Sequence, residues 1–218
     1  MTKNPKIVFV DLDGTITAKS LNNTFDFILA FLTFKEDKSR LLVYRVVMKI
    51  LNYILLTHNQ KVSNCVRRLR IKLLVYGHDK TAIDSFAKTF WITHVKKHLN
   101  IEVVNLLKEL KNDGYTLILL TGCVETPAKQ IAEEFACSDC ICTKFKVKHG
   151  KIQGTKVDCF GKFKVKILKR KYPEGVTRNA TYILDYESLP SETLNLKIFE
   201  KVYLVKDGKI KLLHDDAS

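Results

Sequence analysis

The chain has 218 residues, 46% hydrophobic and 28% charged, with nine glycines, four prolines and neither an internal repeat nor a low-complexity tract. That balance suits one globular domain, or one domain with a large insertion, and excludes a disordered chain, a solenoid or a fibrous protein. A formal net charge of +14 favours anionic partners: phosphorylated metabolites, acidic lipid headgroups or nucleic acid.

The first predicted element is "KIVFV" (6–10), a continuous apolar, β-branched run of the kind found in buried parallel strands. It is too short for the apolar region of a signal peptide and ends in acids, "DLDGT". Residues 24–100 then read as almost wholly helical. "NTFDFILAFLTF", "SRLLVYRVVMKILNYILL", "NQKVSNCVRRLRIKLLVYG" and "DKTAIDSFAKTFWITHVKKHL" repeat apolar residues at three- and four-residue steps. Gly77 and Asp79 mark a stop and an N-cap between the last two. The stretch at 41–56 carries Arg45 and Lys49 and falls short of the ~20 residues of a membrane span. A soluble, cytoplasmic protein is expected, with its six cysteines as free thiols. "CSDC" (137–140) with Cys142 and Cys159 has zinc-like spacing, but a second matching pair is missing.

From residue 101 strands and helices alternate: helix "IEVVNLLKELKNDG", strand "YTLILL", helix "ETPAKQIAEEFA", strand "DCICTKF" and a hairpin "FKVKHGKIQG". Helix "GKFKVKILKRKY", strand "ATYILDY", a short helix near 190–196 and strand "KVYLV" follow. The alternation predicts a doubly wound, Rossmann-like α/β core with helices on both faces of a parallel sheet. The expected division is a core of 1–16 and 102–218, interrupted by a helical cap at 17–101. Ligands of such sheets bind at the carboxyl ends of the strands, where Asp11 and Asp13 stand.

Two like charges at that spacing repel, so the site should reward the arrangement. A carboxylate can attack phosphorus and form an aspartyl-phosphate, provided a divalent cation and a lysine offset the repulsion. A second carboxylate can protonate the leaving alcohol and then activate water. Asp11 as nucleophile and Asp13 as acid/base meet that description. Gly14 permits a sharp exit from the strand, and Thr15 can hydrogen-bond locally. The alternative is an acidic strand–turn junction with an Asx-type turn.

"VFVDLDGTIT" resembles the first motif of the haloacid dehalogenase-like hydrolases, and the insertion after it resembles the helical C1-type cap of the branch that includes phosphoserine phosphatase. The resemblance runs over nearly the whole chain. It implies that the Thr121 hydroxyl and the backbone around Gly122, in "LILLTG", hold the phosphate beside Gly14 and Thr15. It places a phosphate-neutralising lysine after Gly161, at Lys164 in a G-x-x-K pattern, with Lys162 and Lys166 as neighbours. It makes Asp185 of "TYILDYESLP" a Mg2+ ligand together with Asp11 and Asp13. The second acid of the D-x-x-x-D pattern is replaced by Leu189, with Glu187 and Ser188 the nearest polar residues.

Phosphoserine phosphatases commonly hold the substrate ammonium with an acid shortly after the first motif. Here Ser20 or Asn23 stands near that place, so poor phosphoserine turnover is expected. Phe86, Phe90, Trp91, Tyr44 and Tyr53 could line an apolar pocket, but an all-helical cap needs them for its own interior. Residues 35–100 hold fourteen Lys and Arg against four Asp and Glu. This basic face could rest on an acidic membrane or be simply solvated. "RRLR" (67–70) is a lone cluster, and nucleic acid is not an expected partner. His94 and His98, a helical turn apart, are expected at the surface.

The reading is a Mg2+-dependent phosphomonoesterase acting on a small or amphipathic (lipid-like) phosphorylated substrate other than phosphoserine. The alternatives are a weakened phosphate-binding protein, or a phosphotransferase or phosphomutase sharing the first half-reaction.

Overall fold

The computed structural model describes residues 6–55, 60–172, 177, 179–188, 196 and 198–215. Strand β1 (Ile7–Val10) is buried at every position, as a continuous apolar run requires. Helices α1 (Asn23–Phe34), α2 (Lys38–Leu55), α3 (Gln60–Val75) and α4 (Lys80–Phe90) follow. Then come a π-helical turn at Trp91–Val95 and a short 3-10 turn at Lys96–His98. The rest alternates: α5 (Ile101–Asn112), β2 (Thr116–Val124), α6 (Glu125–Glu134), β3 (Asp139–Lys148), β4 (Lys151–Val157), α7 (Lys162–Lys171), β5 (Ala180–Asp185), β6 (Lys201–Lys206) and β7 (Lys209–Asp215).

The described strands form one sheet in the order β4-β3-β2-β1-β5-β6-β7. The five inner strands are parallel, and β4 and β7 pair antiparallel at the edges. The chain leaves β1 toward β2 on one side and returns to β5 on the other, so the switch point of the winding lies at β1. Alternate β1 side chains serve the two faces. Val8 and Val10 join α5 and α6 residues such as Val103, Leu107 and Ile131. Ile7 and Phe9 pack with Leu168 of α7 and with Phe199 on the other. This is the expected doubly wound α/β architecture.

Strand β7 was not among the expected elements. Its hairpin from β6 turns at Asp207 and Gly208, both with positive φ (51° and 80°), the signature of an Asp-Gly turn. The helix expected near 190–196 lies outside the described residues except at Leu196, as does Leu189.

Helix α1 is capped by Asn22, whose side chain accepts from the Phe25 N–H. Its buried stripe includes Phe27, Ile28, Phe31 and Leu32. Phe27 meets Phe90 of α4 edge-on, ring centroids 5.3 Å apart. Phe86, Phe90 and Trp91 are buried in the same apolar cluster as Val8 and Val10, and Tyr44 packs against it half-buried. The side chain of Tyr53 lies outside the described residues. Fully burying one such aromatic or aliphatic side chain is worth about 1.5–3 kcal/mol. His94 stacks on Phe90, and the His98 ring nitrogen Nδ1 lies 2.8 Å from the His94 carbonyl.

The ends of the helical segment run side by side: the Ala18 N–H donates to the His98 carbonyl (2.7 Å) and the Asn100 N–H to that of Ile16 (2.9 Å). At its far side, Gly77 (φ +78°) ends α3, and its N–H donates to the Ile152 carbonyl of β4 at 2.7 Å. The segment is thus closed at its base, and the end of α3 is tied to the sheet at β4.

Candidate active site

A cavity of about 300 Å³ opens at the carboxyl end of β1. Asp11, Asp13 and Gly14 of the first loop line it, with Gly122 at the end of β2, Gly161 and Lys164 at the start of α7, and Asp185 at the end of β5. Four separate stretches of chain converge there because parallel strands present their carboxyl ends together.

Asp11 is buried and its two oxygens are both engaged. Oδ1 accepts from the Leu12 N–H at 2.8 Å, and Oδ2 pairs with Lys164 Nζ at 2.9 Å. Lys164, 3% exposed, also donates to the Tyr182 hydroxyl at 3.3 Å. Lys166, two residues on, is exposed, and of Lys162 only the backbone is described. Among the described side chains of α7, Lys164 is the lysine that reaches the first loop.

Asp13 Oδ1 accepts twice from Asn23, from the backbone N–H at 2.8 Å and from Nδ2 at 2.7 Å. Asn23 Nδ2 also reaches Thr17 Oγ1 at 2.8 Å. Burial, only partly offset by these hydrogen bonds and reinforced by the charge of Asp11, pushes the Asp13 carboxyl up to about 6. Asn23, which stands near the place of the ammonium-binding acid, positions Asp13. Burial likewise raises Asp185, with Lys19 and the Glu187 N–H pulling the other way.

Gly14 has φ +74°, and a Cβ built there would stand 2.8 Å from Asp185 Cγ. Only a residue without a side chain lets the β5 carboxylate come this close to the first loop. Gly14→Ala should therefore lower melting temperature and turnover together. Gly208→Ala is the control, since its φ is +80° but an added methyl meets nothing within 4 Å. Thermal melts and p-nitrophenyl phosphate kinetics on the two variants make the comparison. Equal effects would contradict the role given to Gly14.

Thr121 and Thr15 are fully buried and do not line the cavity. The Thr121 hydroxyl accepts from the Cys123 N–H at 3.1 Å, so at this wall it is Gly122 that meets the cavity. Among the described residues Thr15 Oγ1 has no hydrogen-bond partner. Glu187 pairs with Lys19 at 2.6 Å across the rim, and its backbone N–H donates to Asp185 Oδ2 at 3.1 Å.

Sequence reasoning missed Arg67. Helix α3 sends it into the cavity, where Nη1 donates to Asp158 Oδ1 at 3.1 Å and Nη2 to the Gly122 carbonyl. Its guanidinium lies over the Phe160 ring at 4.9 Å. Arg68 takes the other oxygen of Asp158 at 2.8 Å. The arginine pair joins the helices to the loop before α7.

Among the described residues no three His, Cys, Asp or Glu side chains form a ready metal cage. The site nevertheless suits a hard cation. Among the described residues its carboxylates Asp11, Asp13, Asp185 and Glu187 share one cavity with the cations Lys19, Arg67 and Lys164. One or two carboxylates plus phosphate oxygens and water is the usual Mg2+ donor set. The six cysteines are free thiols.

Residues 8–184 match the family model of the haloacid dehalogenase-like hydrolases. No curated protein sequence matches the chain. Among solved structures, the chain is similar to a protein of unknown function from Bordetella pertussis Tohama I, with TM-score 0.65 and 14% identity over 84% of this chain and 83% of that one. It is also similar to a substrate-bound phosphoserine phosphatase complex, with TM-score 0.60 and 18% identity over 93% and 86%. A cytosolic 5'-nucleotidase IIIB bound to cytidine shares the fold at TM-score 0.55 and 11% identity over 92% and 72%.

Proposed function

The chain belongs to the haloacid dehalogenase-like hydrolases, and on that premise we propose that it is a Mg2+-dependent phosphomonoesterase working through a phosphorylated Asp11. The observation that carries the reading is the buried Asp11–Lys164 pair (2.9 Å) inside a cavity that also holds Asp13 and Asp185. That two of the structures sharing its fold are a phosphoserine phosphatase and a 5'-nucleotidase supports it.

Asp11 is held by Lys164 and the Leu12 N–H with its carboxylate facing the cavity. Its oxygen attacks phosphorus, and the bond from phosphorus to the ester oxygen breaks. The leaving alkoxide takes a proton from Asp13, whose Oδ1 is fixed by Asn23 and whose other oxygen is left to carry the proton. Water then attacks the phosphorus and gives its proton to Asp13, releasing phosphate and restoring Asp11. Lys164 and Arg67 offset the negative charge of the phosphoryl group. Asp11, Asp13 and Asp185 are the carboxylates that would hold Mg2+, which when bound would neutralise charge on the phosphoryl oxygens. Helices α1 to α4 act as the cap, the unit we assign to 17–101, and set specificity through Leu21, Asn22, Thr24 and Arg67 at the cavity wall.

Among the described residues no carboxylate of the cap lines the cavity, so a substrate ammonium finds no charged partner there. The test is a panel of phosphomonoesters assayed with Mg2+ and with chelator. Turnover should fall about hundredfold without the metal, and phosphoserine should fall at least about tenfold below the best substrate in kcat/KM. Phosphoserine at the top of the panel would refute the substrate reading. No hydrolysis of any member would refute the activity and favour a binding protein.

A further inference from the structure

Helices α2 and α3 are unusual on the side that faces away from the core. Helix α3 buries Val66, Ile71, Leu74 and Val75, yet Leu69 and Leu73 on it, and Tyr76 just after it, stand exposed. Helix α2 exposes Leu42 (63%), Val43 and Val46. These six account for much of the large apolar surface exposed among the described residues. A helix with apolar residues on both sides is ordinarily buried on both sides.

The charge of the two helices says what could cover them. Together they contain nine Lys and Arg and no Asp or Glu. Lys38, Arg45 and Lys72 are exposed beside the apolar side chains. A surface that accepts scattered aliphatic side chains and prefers cations is that of a bilayer with acidic headgroups. No described helix is long and apolar enough to cross a membrane, so the contact would lie in the interface plane.

We propose that the outer face of α2 and α3 docks the protein on acidic membrane. Leu42, Val43 and Val46 with Leu69, Leu73 and Tyr76 enter the headgroup boundary while the flanking cations meet phosphate groups. The opposite side of α3 carries Arg67 into the active-site cavity, so the docking face and that cavity wall are two sides of one helix. The proposal does not depend on the chemistry assigned to the cavity.

The test is flotation of the full chain with vesicles of phosphatidylglycerol and, separately, of phosphatidylcholine. Binding to the acidic vesicles should exceed binding to the neutral ones at least about tenfold at low salt and weaken toward about 0.5 M sodium chloride. The double variant Leu42→Glu, Leu73→Glu should lose at least about tenfold in partition, with p-nitrophenyl phosphate turnover and the circular dichroism spectrum unchanged. If that variant loses its helical spectrum, Leu42→Gln with Leu73→Gln makes the same comparison without added charge. Absence of flotation at low salt, or equal flotation of wild type and variant, overturns the proposal. Binding to soluble polyglutamate as tight as to the acidic vesicles also overturns it, and points to an acidic protein instead.

Discussion

Asp11→Asn is expected to abolish p-nitrophenyl phosphate turnover, by about 10⁴-fold or more, in a protein that still folds. The amide matches the carboxylate in shape, and its oxygen can still accept from the Leu12 N–H or from Lys164, the two groups that hold Asp11 now. What it lacks is an anionic oxygen able to attack phosphorus. The lost charge costs the buried pair with Lys164, but it also relieves the repulsion Asp11 exerts on Asp13 and Asp185. The two effects oppose, so the melting temperature should shift by only a few degrees. Steady-state kinetics with saturating Mg2+ measures the loss. Mass spectrometry of acid-quenched wild-type protein should find the phosphoryl group on the peptide containing residue 11. Residual turnover within about tenfold of wild type would rule out Asp11 as the nucleophile.

Most of the fold was legible because it is written locally. The buried run Ile7–Val10 makes one kind of strand, and the three- and four-residue apolar steps of 24–100 make helices, whatever the tertiary context. Strand β7 escaped because "KIKLLHD" is half polar and lies at a sheet edge, where one side needs no burial. The Asp207-Gly208 pair before it was the available signal. The winding order follows from alternation, but the antiparallel pairing of β4 at the other edge is fixed by the short turn at His149 and Gly150.

The site was legible where its residues share one loop and obscure where they come from afar. Asp11, Asp13 and Gly14 adjoin in sequence and in space. The choice among three lysines of α7 could have been sharpened by helical period: Lys164 stands four residues before the fully buried Leu168 and so shares its inward face. Arg67 is different. It meets Gly122 and Asp158 across 55 and 91 residues, and nothing in "RRLR" separates an arginine that turns inward from one that stays in solvent. The helical period was the available hint, since Arg67 stands four and seven residues before the buried Ile71 and Leu74. The pairing of Asn23 with Asp13 was hidden for a related reason. It depends on how sharply the chain turns between Thr17 and α1, which composition does not set.

Lys164→Met is expected to lower kcat/KM about 10³-fold, close to 4 kcal/mol of transition-state stabilisation. Methionine fills nearly the same volume in the slot beside Tyr182, so the loss reads out charge rather than a cavity. In wild type the lysine cancels one of four carboxylates around the site. Without it Asp11 keeps the Leu12 N–H but loses its cation, and the cost of breaking so buried a pair is about 3–5 kcal/mol before solvent in the cavity softens it. The variant should therefore melt lower than wild type, and Mg2+ should raise its melting temperature by more than it raises that of wild type, because the ion would then be the main counter-charge left near Asp11. Lys166→Met removes an exposed charge from the same helix and should change neither rate nor melting temperature appreciably. Melts with and without Mg2+, beside p-nitrophenyl phosphate kinetics, separate the cases. If Lys166→Met were as damaging as Lys164→Met, the helix as a whole rather than the cation on Asp11 would be what the site needs.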